Sequence, residues 1–217
     1  MSPRKAQDPE RSAIAGGGIL AHPVGPRSRR IHEAVLAATE ELLLEGGLPA
    51  ATVDAIAARS GVSKATIYKH WPSRTAVAAK AFGRMMAEAL PLPDTGSVVG
   101  DLTEQVVRVS AFYDSERGRV FAQLLAACVD DVAAAPYFRE YFLTGRREAV
   151  GVLWQRALDR GEVDPGIEVD DVIDMLFGPL VFRRLTGHCA LSEDHARALA
   201  RSALAGLLQR GSDVPDA

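Results

Sequence analysis

The sequence predicts an all-α protein, a three-helix N-terminal head with a helix-turn-helix followed by a larger C-terminal helical domain. Three observations carry the prediction. Apolar residues recur at helical rather than alternating spacing. Ala, Leu, Arg and Glu abound while β-branched runs are few. Gly and Pro punctuate the chain at helix-length intervals, without hairpin signals or repeats. At 217 residues, 47% of them apolar and 24% charged, the chain has the composition of a globular protein and can bury a core without disulfides or metal.

The elements follow in order. Residues 1–27 are rich in Pro, Gly, Ser and charge and are expected to form a flexible tail; Gly16–Gly18 spoil any signal-peptide core. Helix one spans Arg29–Glu45, with Ile31, Val35, Ala38 and Leu42 on one stripe, and Gly46–Gly47 and Pro49 end it. Thr52 is a natural N-cap for a short helix Val53–Ser60, and Ser63 for another, Lys64–His70. Gly61 separates these two helices. A fourth helix runs Ser73–Leu90, stopped by Pro91 and Pro93. Five further helices are expected over 100–113, 117–134, 136–161, 169–186 and 193–210. The organisation is thus a tail (1–27), a head (28–80), a body (81–211) and a second tail (212–217).

Several function classes drop out. Cys128 and Cys189 form no disulfide framework and suit a reducing cytoplasm. The longest apolar stretch, Met175–Phe182, lies between Asp174 and Arg183 and is far too short to span a membrane. Gly-x-Ser-x-Gly, phosphate-loop, dinucleotide and His-Glu-x-x-His motifs are missing, so no enzyme is expected. His188, Cys189, Asp194 and His195 straddle a helix boundary at a spacing that matches no standard metal site, so neither metal nor cofactor is expected.

Charge is distributed unevenly. Residues 1–80 hold eleven Lys/Arg against seven Asp/Glu, whereas the whole chain has 25 against 28. From Arg59 to Ala87 there are six cations (Arg59, Lys64, Lys69, Arg74, Lys80, Arg84) and no acid. Such a stretch in an acidic protein points either to a polyanion partner or to a solvated helical face.

Thr52 to His70 bears on the choice. Ala57 is small enough for two helices to cross, Gly61 four residues later tolerates positive φ, and Val62 and Ile67 peg the second helix. That is the spacing of a helix-turn-helix that reads DNA, and also of some αα-corners that bind nothing. Away from its buried side the second helix offers Ser63, Lys64, Ala65, Thr66, Tyr68, Lys69 and His70. These are small residues, hydroxyls and cations with no carboxylate, at a helix start that itself favours phosphate.

The run Gly61-Val-Ser-Lys-Ala-Thr-Ile-Tyr-Lys-His-Trp-Pro-Ser-Arg74 resembles the signature of the TetR/AcrR family of regulators, and the likeness extends over about residues 29–82. Trp71 stands where the family usually has Phe, Lys69 where it often has Tyr and Arg74 where Lys is common. Chemistry and resemblance together assign phosphate contacts to Thr52, Tyr68, His70 and Arg74, and the major groove to Lys64, Ala65, Thr66 and Lys69, with Ser63 at the helix start. Arg27, Arg29 and Arg30 either reach DNA or remain solvated, and Trp71 is expected between the first and fourth helices.

The resemblance also implies a body that dimerises and binds a small effector. Phe177-Gly-Pro-Leu-Val-Phe-Arg-Arg-Leu-Thr-Gly187 resembles a subgroup that dimerises through its last two helices. On that footing Phe177, Leu180, Val181, Arg184, Leu199, Ala203 and Leu207 are interface candidates. Phe112, Phe121, Leu124, Cys128, Tyr141, Trp154, Met175 and Phe182 are candidates to line an apolar effector site, although aromatics at helical spacing are also ordinary core. The expected partners are double-stranded operator DNA and a second copy of the chain, with a hydrophobic or amphipathic effector. Repression is the default reading by resemblance; activation and a protein-binding adaptor remain alternatives. Helix four is the expected lever between effector and head.

Overall fold

The computed structural model describes residues 25–208 except residue 133; the second tail and most of the first lie outside these. Ten α-helices follow one another and no strand occurs among the described residues. In the head, α1 (Pro26–Ala50), α2 (Val53–Ser60) and α3 (Lys64–His70) lead into α4 (Arg74–Ala89). The body comprises α5 (Val98–Asp114), α6 (Glu116–Asp130), α7 (Ala135–Phe138), a π-helical turn (Arg139–Thr144), α8 (Gly145–Asp159), α9 (Val169–Thr186) and α10 (Glu193–Leu208). No helix among the described residues is long and apolar enough to cross a membrane.

Three boundaries differ from the sequence reading, the simplest being that α6 ends at Asp130 and not at 134. Helix one starts at Pro26, so Arg27 belongs to its first turn rather than to a tail; proline's fixed φ suits that position. The single helix expected over 136–161 is three pieces, because the backbone widens into the π turn before α8 resumes. The Gly46–Gly47 stop is real: helical geometry fails at both, and Gly47 has φ 69°. A Cβ on Gly47 would lie 2.3 Å from Oε1 of Gln123 on α6, which accepts a hydrogen bond from Leu48 N at 2.8 Å. This glycine therefore marks a head–body junction as well as a helix end.

The core is continuous from head to body. Val35, Leu43, Ile56, Ile67 and Trp71 are buried in the head, and Phe82 and Met86 of α4 carry the apolar mass into Phe112, Phe121 and Phe142. A second junction lies at Gly83, where a Cβ would fall 2.1 Å from the backbone oxygen of Tyr141 in the π turn. One turn away, Lys80 Nζ sits 4.0 Å from the centre of the Tyr141 ring. In the body, fully buried Asp101 accepts from Thr95 N (2.6 Å), Thr95 Oγ1 (2.8 Å) and Arg160 (3.3 Å), tying the inter-domain loop to α5 and α8.

Candidate nucleic-acid interface and effector cavity

Each short helix of the head begins on a side-chain cap. Thr52 Oγ1 accepts from Ala55 N (3.1 Å), Ser63 Oγ from Thr66 N (3.2 Å) and Ser73 Oγ from Ala76 N (3.2 Å). Between α2 and α3, Gly61 adopts φ 68° and donates its N–H to Ala57 O at 3.0 Å. A Cβ there would meet nothing, so the turn needs glycine for its dihedral and not for space. Ile67 is buried and Val62 partly so, which fixes α3 against the head.

This packing leaves Ser63, Lys64, Ala65, Tyr68 and Lys69 exposed, with Thr66 half-buried and its hydroxyl 2.9 Å from Ser63 Oγ. Tyr68, 52% exposed, is the largest ring on that surface. Arg74 is exposed at the start of α4, and Arg29 and Arg30 on the first turns of α1. His70 is only half-exposed; its ring meets that of His32 edge-on, centroids 4.5 Å apart. Trp71 is 1% exposed and its ring lies 4.5 Å from His32 of α1, the packing role expected. Burial, then the neighbouring His70 and Lys80, hold the His32 imidazole below its usual pKa.

The acid-free stretch is not acid-free in space. Arg59 pairs with Glu45 (2.6 Å) and Glu41 (3.6 Å) of α1. Arg84 pairs with Glu40 (2.6 Å) and Glu33 (2.5 Å), and these bonds raise its pKa. Lys64 pairs with Asp54 of α2, whose hydrogen bond and charge raise the ammonium pKa. Lys80 is half-buried over Tyr141, and burial lowers its pKa. Of the six cations only Lys69 and Arg74 have no ion pair or ring partner among the described residues. Among the described residues Lys64 is thus the one exposed cation of α3 that is held by an acid, Asp54 of α2.

The body holds a cavity of about 210 Å³ between α4, α5, α6, the π turn, α8 and α9. Met86, Val109, Tyr113, Phe121, Leu125, Phe138, Phe142 and Val150 form much of its wall. Of the residues expected there, Phe121 is in place. Phe112, Leu124, Cys128 and Trp154 are instead buried in the protomer's own core. Tyr141 is half-buried under Lys80 and lines a separate pocket with Gly83, and Met175 and Phe182 are 46% and 60% exposed.

Helix α9 explains the exchange. Residues 175, 182 and 185 fall on one helical stripe and lie outside, with Leu185 50% exposed. Phe177 and Val181, expected at a dimer interface, line the cavity together with Gly178. Leu180 is fully buried and Leu207 nearly so, whereas Leu199, Ala203 and Arg184 are partly exposed on α9 and α10.

A helix-turn-helix with an exposed polar and cationic second helix, joined to a helical body, defines a DNA-binding transcriptional regulator. Residues 35–81 match the family described as bacterial regulatory proteins, tetR family, and residues 92–203 match the tetracyclin repressor-like C-terminal domain. The chain belongs to the TetR family of bacterial transcriptional regulators. It is 36% identical over 183 residues to the uncharacterized HTH-type transcriptional regulator YdeS of Bacillus subtilis, covering 84% of this chain and 92% of YdeS. It is 30% identical over 193 residues to the uncharacterized regulator Rv1556 of Mycobacterium tuberculosis, covering 88% and 92%. Among solved structures it is similar to the TetR family transcription regulator SCO0332, with a TM-score of 0.76, 30% identity and coverage of 82% of this chain and 98% of that one.

Proposed function

We propose that the chain is a homodimeric repressor that holds a palindromic operator until a small hydrophobic or amphipathic molecule occupies the body cavity. One observation carries this reading: a single helix serves both sites. Helix α4 begins at Arg74 beside the reading helix and presents Met86 to the cavity. A ligand that binds the cavity better in one setting of α4 shifts the head by its difference in affinity between the two settings, and by no more than that.

In this reading Lys64, Ala65, Thr66 and Lys69 face base edges, and Thr52, Ser63, Tyr68, His70 and Arg74 hold phosphates. A second copy covers the exposed stripe of Met175, Phe182 and Leu185, with Leu199 and Ala203 of α10 beside it. Two heads then meet half-sites about 34 Å apart, one turn of the duplex.

The test is selection from random duplex DNA by the full chain, with a Thr66→Ala/Tyr68→Phe variant beside it. A palindromic motif that the variant retains poorly is expected. No enrichment by folded protein at low salt overturns the reading.

A further inference from the structure

Three charged side chains interrupt the otherwise apolar cavity wall: Arg146, Arg147 and Asp174. Two of them cancel. Arg147 Nη1 lies 2.9 Å from Asp174, and its Nε lies 2.7 Å from Asp170. Arg146 has no such relief, because its Nη2 is buried and meets no acceptor among the described residues. Arginine does not shed its proton in proteins, so a half-buried guanidinium with no carboxylate partner among the described residues lines the cavity, and an acceptor on its buried nitrogen would offset part of the desolvation cost.

Tyr113 stands beside it. Burial holds the Tyr113 phenol neutral, and Arg146 is close enough for the two groups to interact electrostatically. The wall thus offers a guanidinium and a hydroxyl donor set among the rings of Phe121, Phe138 and Phe142.

We propose that the cavity takes a compact amphipathic organic acid. Its carboxylate sits on Arg146 with Tyr113 as a second donor, and its aryl or alkyl body lies among Phe121, Phe138 and Phe142. The inference rests on reading the cavity as the effector site. A neutral ligand offers Nη2 at most an uncharged acceptor and an amine adds repulsion, whereas a carboxylate supplies the opposite charge and matches the planar fork of the guanidinium. The cavity volume, about 210 Å³, suits a short body rather than a long chain.

The test uses three probes of one shape, 4-phenylbutyrate, 4-phenylbutanol and 4-phenylbutylamine. Each is titrated calorimetrically into the full chain, into Arg146→Gln and into Arg146→Lys. For the unmodified chain the acid is expected to bind roughly ten-fold tighter than the alcohol, with the amine weakest. In Arg146→Gln the acid falls to the level of the alcohol, while the alcohol changes by no more than about two-fold. In Arg146→Lys part of the preference remains. Equal binding of acid and alcohol by the unmodified chain, or an acid preference that survives Arg146→Gln, overturns the proposal and leaves the cavity standing as a binding site. Failure of all three probes to bind the folded chain at millimolar concentration removes the cavity reading as well.

Discussion

In the head, Arg59 is answered by Glu45, Arg84 by Glu40 and Lys64 by Asp54; in the body, Arg146, Arg183 and Arg184 each keep a buried nitrogen that meets no acceptor among the described residues. The head's pairs join neighbouring helices, and its short helices are capped by their own hydroxyls. Among the described residues its one buried side-chain polar atom without a partner is His32 Nε2. The body also buries Gln105 with both amide atoms unanswered, breaks one helix into a π turn and keeps an internal space. A region complete in itself holds one shape, whereas a region with unanswered groups gains from something added.

The comparison breaks most sharply at Trp71. Trp71→Ala empties the centre of the head and is expected to cost about 3–5 kcal/mol in urea unfolding. A cost under about 1 kcal/mol would mean the head is not the tightly specified region described. Next is Gly83→Ala, whose new methyl meets the Tyr141 carbonyl. It should cost about 1–3 kcal/mol by the same measurement, since that oxygen is backbone and moves only with the π turn.

Acid unfolding sharpens the body's side. Burial alone would raise the Asp101 pKa, but the bonds from Thr95 and the charge of Arg160 outweigh it and depress the value. The unfolded chain therefore takes up this proton first. The stabilisation is complete above the ordinary value of 3.8 and is lost as pH falls through the depressed folded value. Melting curves of Asp101→Asn should lack that acid limb.

The smallest effect belongs to Asp54→Asn, which frees Lys64. Affinity for non-specific duplex DNA at low salt should rise by a few-fold, and the gain should vanish at high salt. An unchanged affinity would show that the Lys64–Asp54 pair opens without cost.

The head was legible because its signals are local. Caps at Thr52 and Ser63, the positive φ of Gly61 and the pegs at Val62 and Ile67 all act within a few residues of themselves. The charge reading was legible only in part, since the acids that answer Arg59 and Arg84 lie on α1, well away in sequence. The cavity was the least legible. Periodicity marks Phe112 and Phe121 equally as inward; both are buried in the core, and only the tertiary arrangement brings Phe121 to the cavity wall as well. On α9, Phe182, expected at the effector site, is exposed, and Phe177, expected at the dimer interface, lines the cavity, because an apolar run flanked by charges has no inside until its neighbours are placed. The π turn left no mark in residue type.

The glycines at 47 and 83 set two unequal spacings. At Gly83 a methyl would fall against the Tyr141 carbonyl, which is backbone and moves only with the π turn, whereas at Gly47 it would meet the amide end of Gln123, a side chain that can swing aside. The first contact therefore acts as a fixed gauge for the distance between α4 and the π turn, and the second as one that yields.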